Sequence, residues 1–179
     1  SPIFLPASTR NPLFPPFDLW LVDARPLDFM RFRAIKDLHA CEIVGWAMDS
    51  RMTKTLVIDA LRAAYWRKKP KPGLMHHSDR GSQYCSAAYR ALQASDGMTT
   101  SMSRKGNCWD NAPMESFFGT LKTERLYHYR FTTREQARQV VFEYIEVFYN
   151  RIRRHAKIGN QIPIDFAQQF YVSRQQPAA

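Results

Sequence analysis

His76-His77-Ser78-Asp79-Arg80-Gly81-Ser82-Gln83-Tyr84 and Trp109-Asp110-Asn111-Ala112-Pro113-Met114-Glu115-Ser116-Phe117-Phe118-Gly119-Thr120-Leu121-Lys122 hold two carboxylates at a wide, fixed interval. Between Asp79 and Glu115 lie 35 residues, and Lys122 follows seven places after the glutamate. Pro113 is acceptable only in a first helical turn, so a helix begins near Asp110 to Ala112, where Asp110 and Asn111 can cap its free amides. Met114, Phe117, Phe118 and Leu121 recur at helical spacing and form its buried stripe. Seven residues is two turns at about 3.6 per turn, so Glu115 and Lys122 share one face with Gly119 between them.

Asp79 belongs to a different element. Gly73-Leu74-Met75-His76-His77 reads as a short strand, and Ser78-Asp79-Arg80-Gly81 as the loop after it. A carboxylate just beyond the C-terminal end of a strand is where open α/β sheets place ligands. Two carboxylates from separate elements, with a cation on the second, suit a divalent-metal site acting on a phosphodiester. Gly119 costs that helix about 1 kcal/mol relative to alanine, a cost explained if a nucleic-acid backbone passes close by. Simpler readings stand beside these: Asp79 as a helix cap, Glu115 as a first-turn residue favoured by the helix dipole, and Lys122 as its salt-bridge partner.

Three segments together closely resemble the integrase-core region of insertion-sequence transposases. They are His76-Ser78-Asp79-Arg80-Gly81-Ser82-Gln83-Tyr84, Asp110-Asn111-Ala112-Met114-Glu115-Ser116-Phe117 and Phe148-Tyr149-Asn150. The family resembled is the one assembled from two overlapping reading frames, the IS3 family, and this chain is similar to its second frame, OrfB. The resemblance runs from about Asp37 to Phe170. It implies an α/β, ribonuclease-H-like fold with a central mixed sheet flanked by helices. It also implies a triad of two aspartates and a glutamate that binds two Mg²⁺ (or Mn²⁺) ions when DNA is bound. Asp79 matches the second aspartate, Glu115 the glutamate, and Lys122 the basic residue two turns later.

The first aspartate is harder to locate. Trp20-Leu21-Val22-Asp23 resembles the family's opening strand, which ends in that residue. Relatives carry threonine and tyrosine soon afterwards, where this chain has Ala24-Arg25-Pro26-Leu27, and the interval to Asp37 is about four residues short. Asp23 is the candidate, because it ends an apolar run suited to a central strand. Asp18 and Asp28 are rivals under other alignments. Pro26 cannot donate to a sheet ladder and suits a turn or an edge.

The chain has 179 residues, enough for one domain with a core, and 45% of them are hydrophobic. Its formal charge of +10 argues for a polyanionic partner, DNA before membrane. No apolar run approaches the roughly 18 residues of a membrane span, and Ser1-Pro2-Ile3-Phe4 does not open like a secretory signal. Three cysteines without a C-x-x-C pair suit a reduced bacterial cytoplasm. Cys85, Cys108 and His128 lack zinc spacings, and His76 and His77, adjacent on a strand, point to opposite faces. His77 is expected to be packed, and His76 to be packed or a partner of Asp79.

In chain order, residues 1–17 hold five of the eleven prolines and read as an extended or disordered lead-in. Residues 18–170 read as the integrase-core-like catalytic domain and 171–179 as a frayed tail. Strands are expected at 19–23, 29–35, 42–48 and 98–102. A helix over 53–69 should be capped by Thr53, end in a solvated basic terminus, and stop at Pro70 and Pro72. A helix over 82–95 should turn Tyr84, Ala87, Ala88, Ala91 and Leu92 inward. The longest helix, 133–153, should bury Ala137, Val141, Tyr144, Ile145, Phe148 and Ile152. A short helix over 163–169 closes the fold.

Ser103-Arg104-Lys105-Gly106-Asn107 reads as a polar loop before the Glu115 helix, where Arg104 and Lys105 could grip phosphate, as Lys122 could; an ordinary solvent loop is the plainer reading. The resemblance implies hydrolytic nicking at transposon ends, attack of the freed 3′-hydroxyl on another phosphodiester, and homo-oligomeric action on DNA. The recognition helices that precede the core in relatives are absent here. The chain is therefore expected to be truncated, and a DNA-binding remnant without catalysis is the alternative.

Overall fold

The computed structural model describes residues 19–27, 30–51, 53–79, 81–102 and 112–175, apart from the side chains of 19–27, 171 and 173–175. The expected lead-in at 1–17, Asp18, Asp28, the 103–107 loop with Arg104 and Lys105, and the capping pair Asp110 and Asn111 lie outside them. Five strands form one mixed sheet: β1 Leu19–Leu27, β2 Met30–Asp37, β3 Ile43–Asp49, β4 Met75–Ser78 and β5 Thr99–Met102, in the order β3-β2-β1-β4-β5. β3, β2 and β1 are antiparallel neighbours, whereas β1, β4 and β5 run parallel. The parallel half needs crossovers, supplied by the helices α1 Lys54–Lys68 and α2 Ala87–Ser95.

The sheet is covered on both faces. Met30, Phe32 and Ala34 of β2 pack with Met114, Phe117, Phe118 and Leu121 of α3 (Ala112–Glu124) and with Val140 and Val141 of α4 (Arg134–Phe142). Ile35 and Val44 pack on the other face with Val57, Leu61 and Ala64 of α1 and with Tyr84 and Tyr89. The period-two alternation of a strand thus feeds two cores.

β1 is longer than expected and carries Pro26 within it. Its pairing with β4 ends at Val22 opposite Ser78, while its pairing with β2 continues to Leu27 opposite Met30. Beyond Val22 the strand is paired with β2 alone among the described residues, so Pro26 occupies an edge-like stretch where a missing N–H is tolerated. The shortened interval to Asp37 leaves the hairpin intact, with Trp20 opposite Asp37.

Helix α1 is capped as expected by Thr53, whose Oγ1 accepts the Leu56 N–H at 3.3 Å. Its basic end is solvated as expected at Arg62, Arg67, Lys69 and Lys71, which are exposed, while Lys68 is half-buried, and two of these cations are also paired. Lys68 pairs with Glu42, and Arg67 pairs with Glu146 at 2.6 Å while also donating to the Ile43 carbonyl at 3.2 Å. These contacts tie α1 to the start of β3 and to the last long helix. α2 begins at Ala87, capped by Ser86, rather than at Ser82. Its inward residues are Tyr89 and Gln93; Ala87, Ala88 and Ala91 are exposed, contrary to the alanine stripe expected.

The longest helix departs from regular periodicity. After α4 it continues as a π-helical segment, Glu143–Tyr149, with Asn150 N–H bonded to the Ile145 carbonyl at 3.1 Å. Each wider turn shifts the buried stripe by one residue. Tyr149 therefore takes the inward place, and the expected core residues Phe148 and Ile152 are 38% and 56% exposed. The final helix α5, Pro163–Gln175, runs past the expected ends at 169 and 170. Phe166 and Phe170 on it stack near His39, with ring centroids 5.0 and 4.4 Å away.

Candidate active site

The parallel register of β1 and β4 sets the site. Val22 is opposite Ser78, so Asp23 and Asp79 are the next positions along two neighbouring strands that run the same way. Across the antiparallel pair Asp23 is opposite Ala34, a residue of the sheet face covered by α3. α3 packs against β1 as well, so the helix bearing Glu115 covers the face on which Asp23 has its register position. The Asp23 side chain is outside the described set.

Asp79 is half-buried, directly after β4. Its Oδ1 accepts the Gly81 N–H at 2.7 Å, which fixes one oxygen of the carboxylate. A Cβ on Gly81 would come within 2.9 Å of that oxygen and 2.6 Å of Gln83 Nε2. Glycine is what allows the loop to close so tightly over the carboxylate.

Glu115 lies in the first turn of α3 and is exposed, while Met114, Phe117, Phe118 and Leu121 are buried, as the spacing required. Lys122, half-buried, is in the last turn of the same helix. Gly119 between them is exposed, and a Cβ added there would meet nothing within 4 Å. Among the described residues, the helix surface at Gly119 is uncovered.

The two histidines separate as adjacent strand residues must. His76 is fully buried. Gln93 Nε2 donates to its Nδ1 at 2.9 Å, Tyr89 Oη lies 3.1 Å from its Nε2, and Thr100 Oγ1 donates to Gln93 Oε1 at 3.0 Å. Burial depresses its pKa to about 4, so the ring is neutral. His76 is thus held among α2 and β5, and of its two expected roles packing is the observed one. His77 faces the other way, with Nδ1 2.9 Å from Ser101 Oγ.

Among the described residues no three His, Cys, Asp or Glu side chains form a group able to hold a metal ion; Asp79 and Glu115 are in that set and the Asp23 side chain is not. The donors available are carboxylate oxygens, which suit Mg²⁺ or Mn²⁺ rather than zinc.

Two residues that organise this region had no sequence signal as such. Asn150, the last residue of the Phe148-Tyr149-Asn150 motif, bonds both the N–H and the carbonyl of Ile43. Lys36 is a charge inside a buried strand, where alternation asks for an apolar residue.

A parallel strand pair thus brings two acidic positions side by side, and the helix that packs against β1 carries a third. Two family models described as integrase core domain match the chain, over residues 16–108 and 115–170. The chain belongs to the integrase core domain family, in the branch found in IS3-type transposases. It is 52% identical over 160 residues to an uncharacterized 31 kDa protein of insertion element IS600 from Shigella sonnei, covering 87% of this chain and 59% of that one. It is 47% identical over 133 residues to transposase InsF for insertion sequence IS3fB of Escherichia coli, covering 74% and 46%. The chain thus spans about half the length of the curated relatives it matches.

Solved structures give the same architecture. The catalytic core domain of BIV integrase superposes with a TM-score of 0.62 at 17% identity, covering 89% of this chain and 99% of that one. The HTLV-2 integrase catalytic core domain in complex with magnesium gives 0.62 at 12% identity, covering 83% and 94%. The fold is ribonuclease-H-like, as expected from the sequence. No helix among the described residues is long and apolar enough to cross a membrane.

Proposed function

We propose that this chain is the catalytic core of a DNA transposase, with Asp23, Asp79 and Glu115 as the ligands of two Mg²⁺ (or Mn²⁺) ions when DNA is bound. The observation that carries the reading is the pairing of Val22 with Ser78, which makes Asp23 and Asp79 neighbours in register beneath the helix of Glu115. Bound divalent ions would stabilise charge on the phosphate and lower the pKa of an attacking water. Three carboxylates bring a charge of −3 against +4, leaving a positive centre for the phosphodiester.

The chain's own residues hold and orient. The Gly81 N–H fixes one oxygen of Asp79, and α3 carries Glu115 on an open surface with Lys122 two turns away to receive phosphate. Arg104 and Lys105 are assigned to the same task. Strand cleavage at transposon ends followed by strand transfer is the reaction, DNA the partner, a homo-oligomer on DNA the working state, and the bacterial cytoplasm the setting.

The test is nicking of end-containing DNA by the purified chain with Mg²⁺ or Mn²⁺. Nicking that disappears in both Glu115→Gln and Asp79→Asn supports the reading. Nicking that survives them assigns the chemistry elsewhere. Salt-dependent DNA binding without any metal-dependent cleavage would leave the alternative, a DNA-binding remnant.

A further inference from the structure

Lys36 breaks the pattern of its strand. β2 is buried along nearly all its length, and Lys36 lies on the α3-covered face, 6% exposed. Its Nζ reaches α3 and donates to the Pro113 carbonyl at 3.3 Å, and stands 5.8 Å from the centre of the Tyr149 ring. The charged groups acting on it include Lys157 and Arg153, with the Cys41 thiol opposing them. Burial, assisted by those two cations, pulls the ammonium down to about 8. An ammonium here is costly, where a methionine of similar shape would bury without penalty.

The contact falls at a sensitive place. Pro113 is the second residue of α3, and Glu115 is two residues further on. Phe117, Phe118 and Leu121 anchor the middle and end of the helix in the core. The first turn has Met114 in that core and the Lys36 bond, and proline offers no N–H of its own. Leu21, two positions before Asp23 on β1, is the register partner of Lys36. The same side chain therefore joins the strand region of one acidic position to the helix turn of another.

We propose that Lys36 is a positioning residue: anchored in the sheet, it sets the first turn of α3 through the Pro113 carbonyl and so sets where Glu115 stands relative to the ends of β1 and β4. This rests on the reading of Glu115 as a metal ligand. Sites of this kind tolerate displacements of only about 0.5 Å, so a tether one turn away from the ligand is enough to matter.

The experiment compares the wild-type chain with Lys36→Met, which keeps the shape and removes the donor, and Lys36→Arg, which keeps charge and donor. Amide exchange is followed at Ser116 and Phe117, whose N–H groups bond back to the Ala112 and Pro113 carbonyls in a regular helix. The Mn²⁺ concentration giving half-maximal thermal stabilisation is measured in parallel. Lys36→Met should speed exchange at those two amides while the rest of α3 is unchanged, and raise the Mn²⁺ midpoint about tenfold, the usual effect of removing an outer support from a metal ligand. Lys36→Arg should restore most of both.

Unchanged exchange and an unchanged midpoint in Lys36→Met would overturn the proposal. So would a uniform loss of protection through the whole chain, which marks a packing role only. If the wild type shows no response to Mn²⁺, the metal reading of Glu115 fails, and the exchange data still decide whether Lys36 sets the helix turn. Should Lys36→Met not fold, Lys36→Leu, which also lacks the donor, carries the same comparison.

Discussion

Asn150 holds the Ile43 peptide with both halves of its amide: Oδ1 accepts the Ile43 N–H at 2.9 Å, and Nδ2 donates to the Ile43 carbonyl at 2.9 Å. Ile43 opens β3, the outer strand of the antiparallel half, so a side chain does there what a sixth strand would do. The Asn150 carbonyl also accepts the Ile164 N–H at 3.2 Å, joining the π-helical segment to α5. An open sheet edge is a template for unwanted pairing, and this clamp closes the first peptide of that edge.

Asn150→Leu removes both bonds, leaves the buried Ile43 N–H without its partner and leaves the Ile43 carbonyl to Arg67. The expected loss is about 2–5 kcal/mol, from the bonds and the desolvated groups together. Urea unfolding measures it. Asn150→Asp should be nearly as damaging, because it keeps the acceptor and turns the donor into a carboxylate facing a carbonyl. A loss below that of an ordinary surface substitution in both variants would remove the clamp from the account of stability.

Gly45 gives a second stability prediction. A Cβ at this position would collide with the Ala60 carbonyl and lie 2.6 Å from Ala64 N and 2.7 Å from Ala64 Cβ. These are backbone and short side-chain atoms of α1, with no flexible tip to move aside. Gly45→Ala must lift α1 from β3, at a cost of about 1–3 kcal/mol or more for overpacking. Gly119→Ala, in open space on a helix, should instead stabilise by about 0.5–1 kcal/mol. Thermal unfolding of the two variants should move in opposite directions.

What the sequence made legible divides along the range of the forces involved. α3 could be read residue by residue, because a first-turn proline and the spacing of Met114, Phe117, Phe118 and Leu121 are local signals. Thr53 was legible as a cap for the same reason. The stripe of the longest helix was read on a period of 3.6, and that holds only as far as Ile145. The π-helical turns then move Tyr149 inward and Phe148 out, a change dictated by packing against β2 and β3 that no local rule carries.

The exposure of the basic end of α1 was legible, but its ion pairs were not, because Glu146 and Glu42 are remote along the chain from Arg67 and Lys68. Around α2, Tyr84 and Leu92 pack inward as expected, but the alanine run only resembles a buried stripe: Tyr89 and Gln93, which bond His76, take the inward places. For the site, Asp79 and Glu115 were legible as a spaced pair with a lysine two turns on. The position of Asp23 needed the register of β1 against β4, which depends on two strands separated by the whole of α1.

His76 yields a pH prediction. In the folded chain its pKa is depressed by burial to about 4, against an ordinary value of 6.5. The ring is neutral in the fold, and below 6.5 the unfolded chain takes up the proton more readily. The stability it contributes is complete above about 6.5 and is lost as pH falls toward 4, by about 3 kcal/mol at roughly 1.4 kcal/mol per unit. Asp37, raised by burial to about 6, gives the opposite slope over part of this range, since its protonated form is the one favoured in the fold. The comparison is therefore with His76→Gln: the stability difference between the two proteins should shrink as pH falls from 7 to 4. A difference independent of pH would mean that His76 titrates alike in the folded and unfolded chains, and one that grows as pH falls would mean that it carries its proton in the fold.

Gly81 separates the site from the fold. Its N–H bonds Asp79 Oδ1, and an added Cβ would press on that oxygen and on the tip of Gln83. Both are ends of side chains that can swing away, so Gly81→Ala should shift the unfolding temperature by only a few degrees, the effect of about 1 kcal/mol or less. The Asp79 carboxylate, however, must leave its present position to make room. If Asp79 is a metal ligand, the stabilisation of the protein by Mn²⁺ should fall about tenfold in apparent affinity, and metal-dependent nicking should fall with it. Gly81→Ala with full metal response would show that the orientation imposed by the loop is not the one the ion requires. A large loss of stability would instead show that the loop closure itself supports the fold. The two measurements, unfolding temperature without metal and midpoint with it, distinguish these outcomes on the same samples.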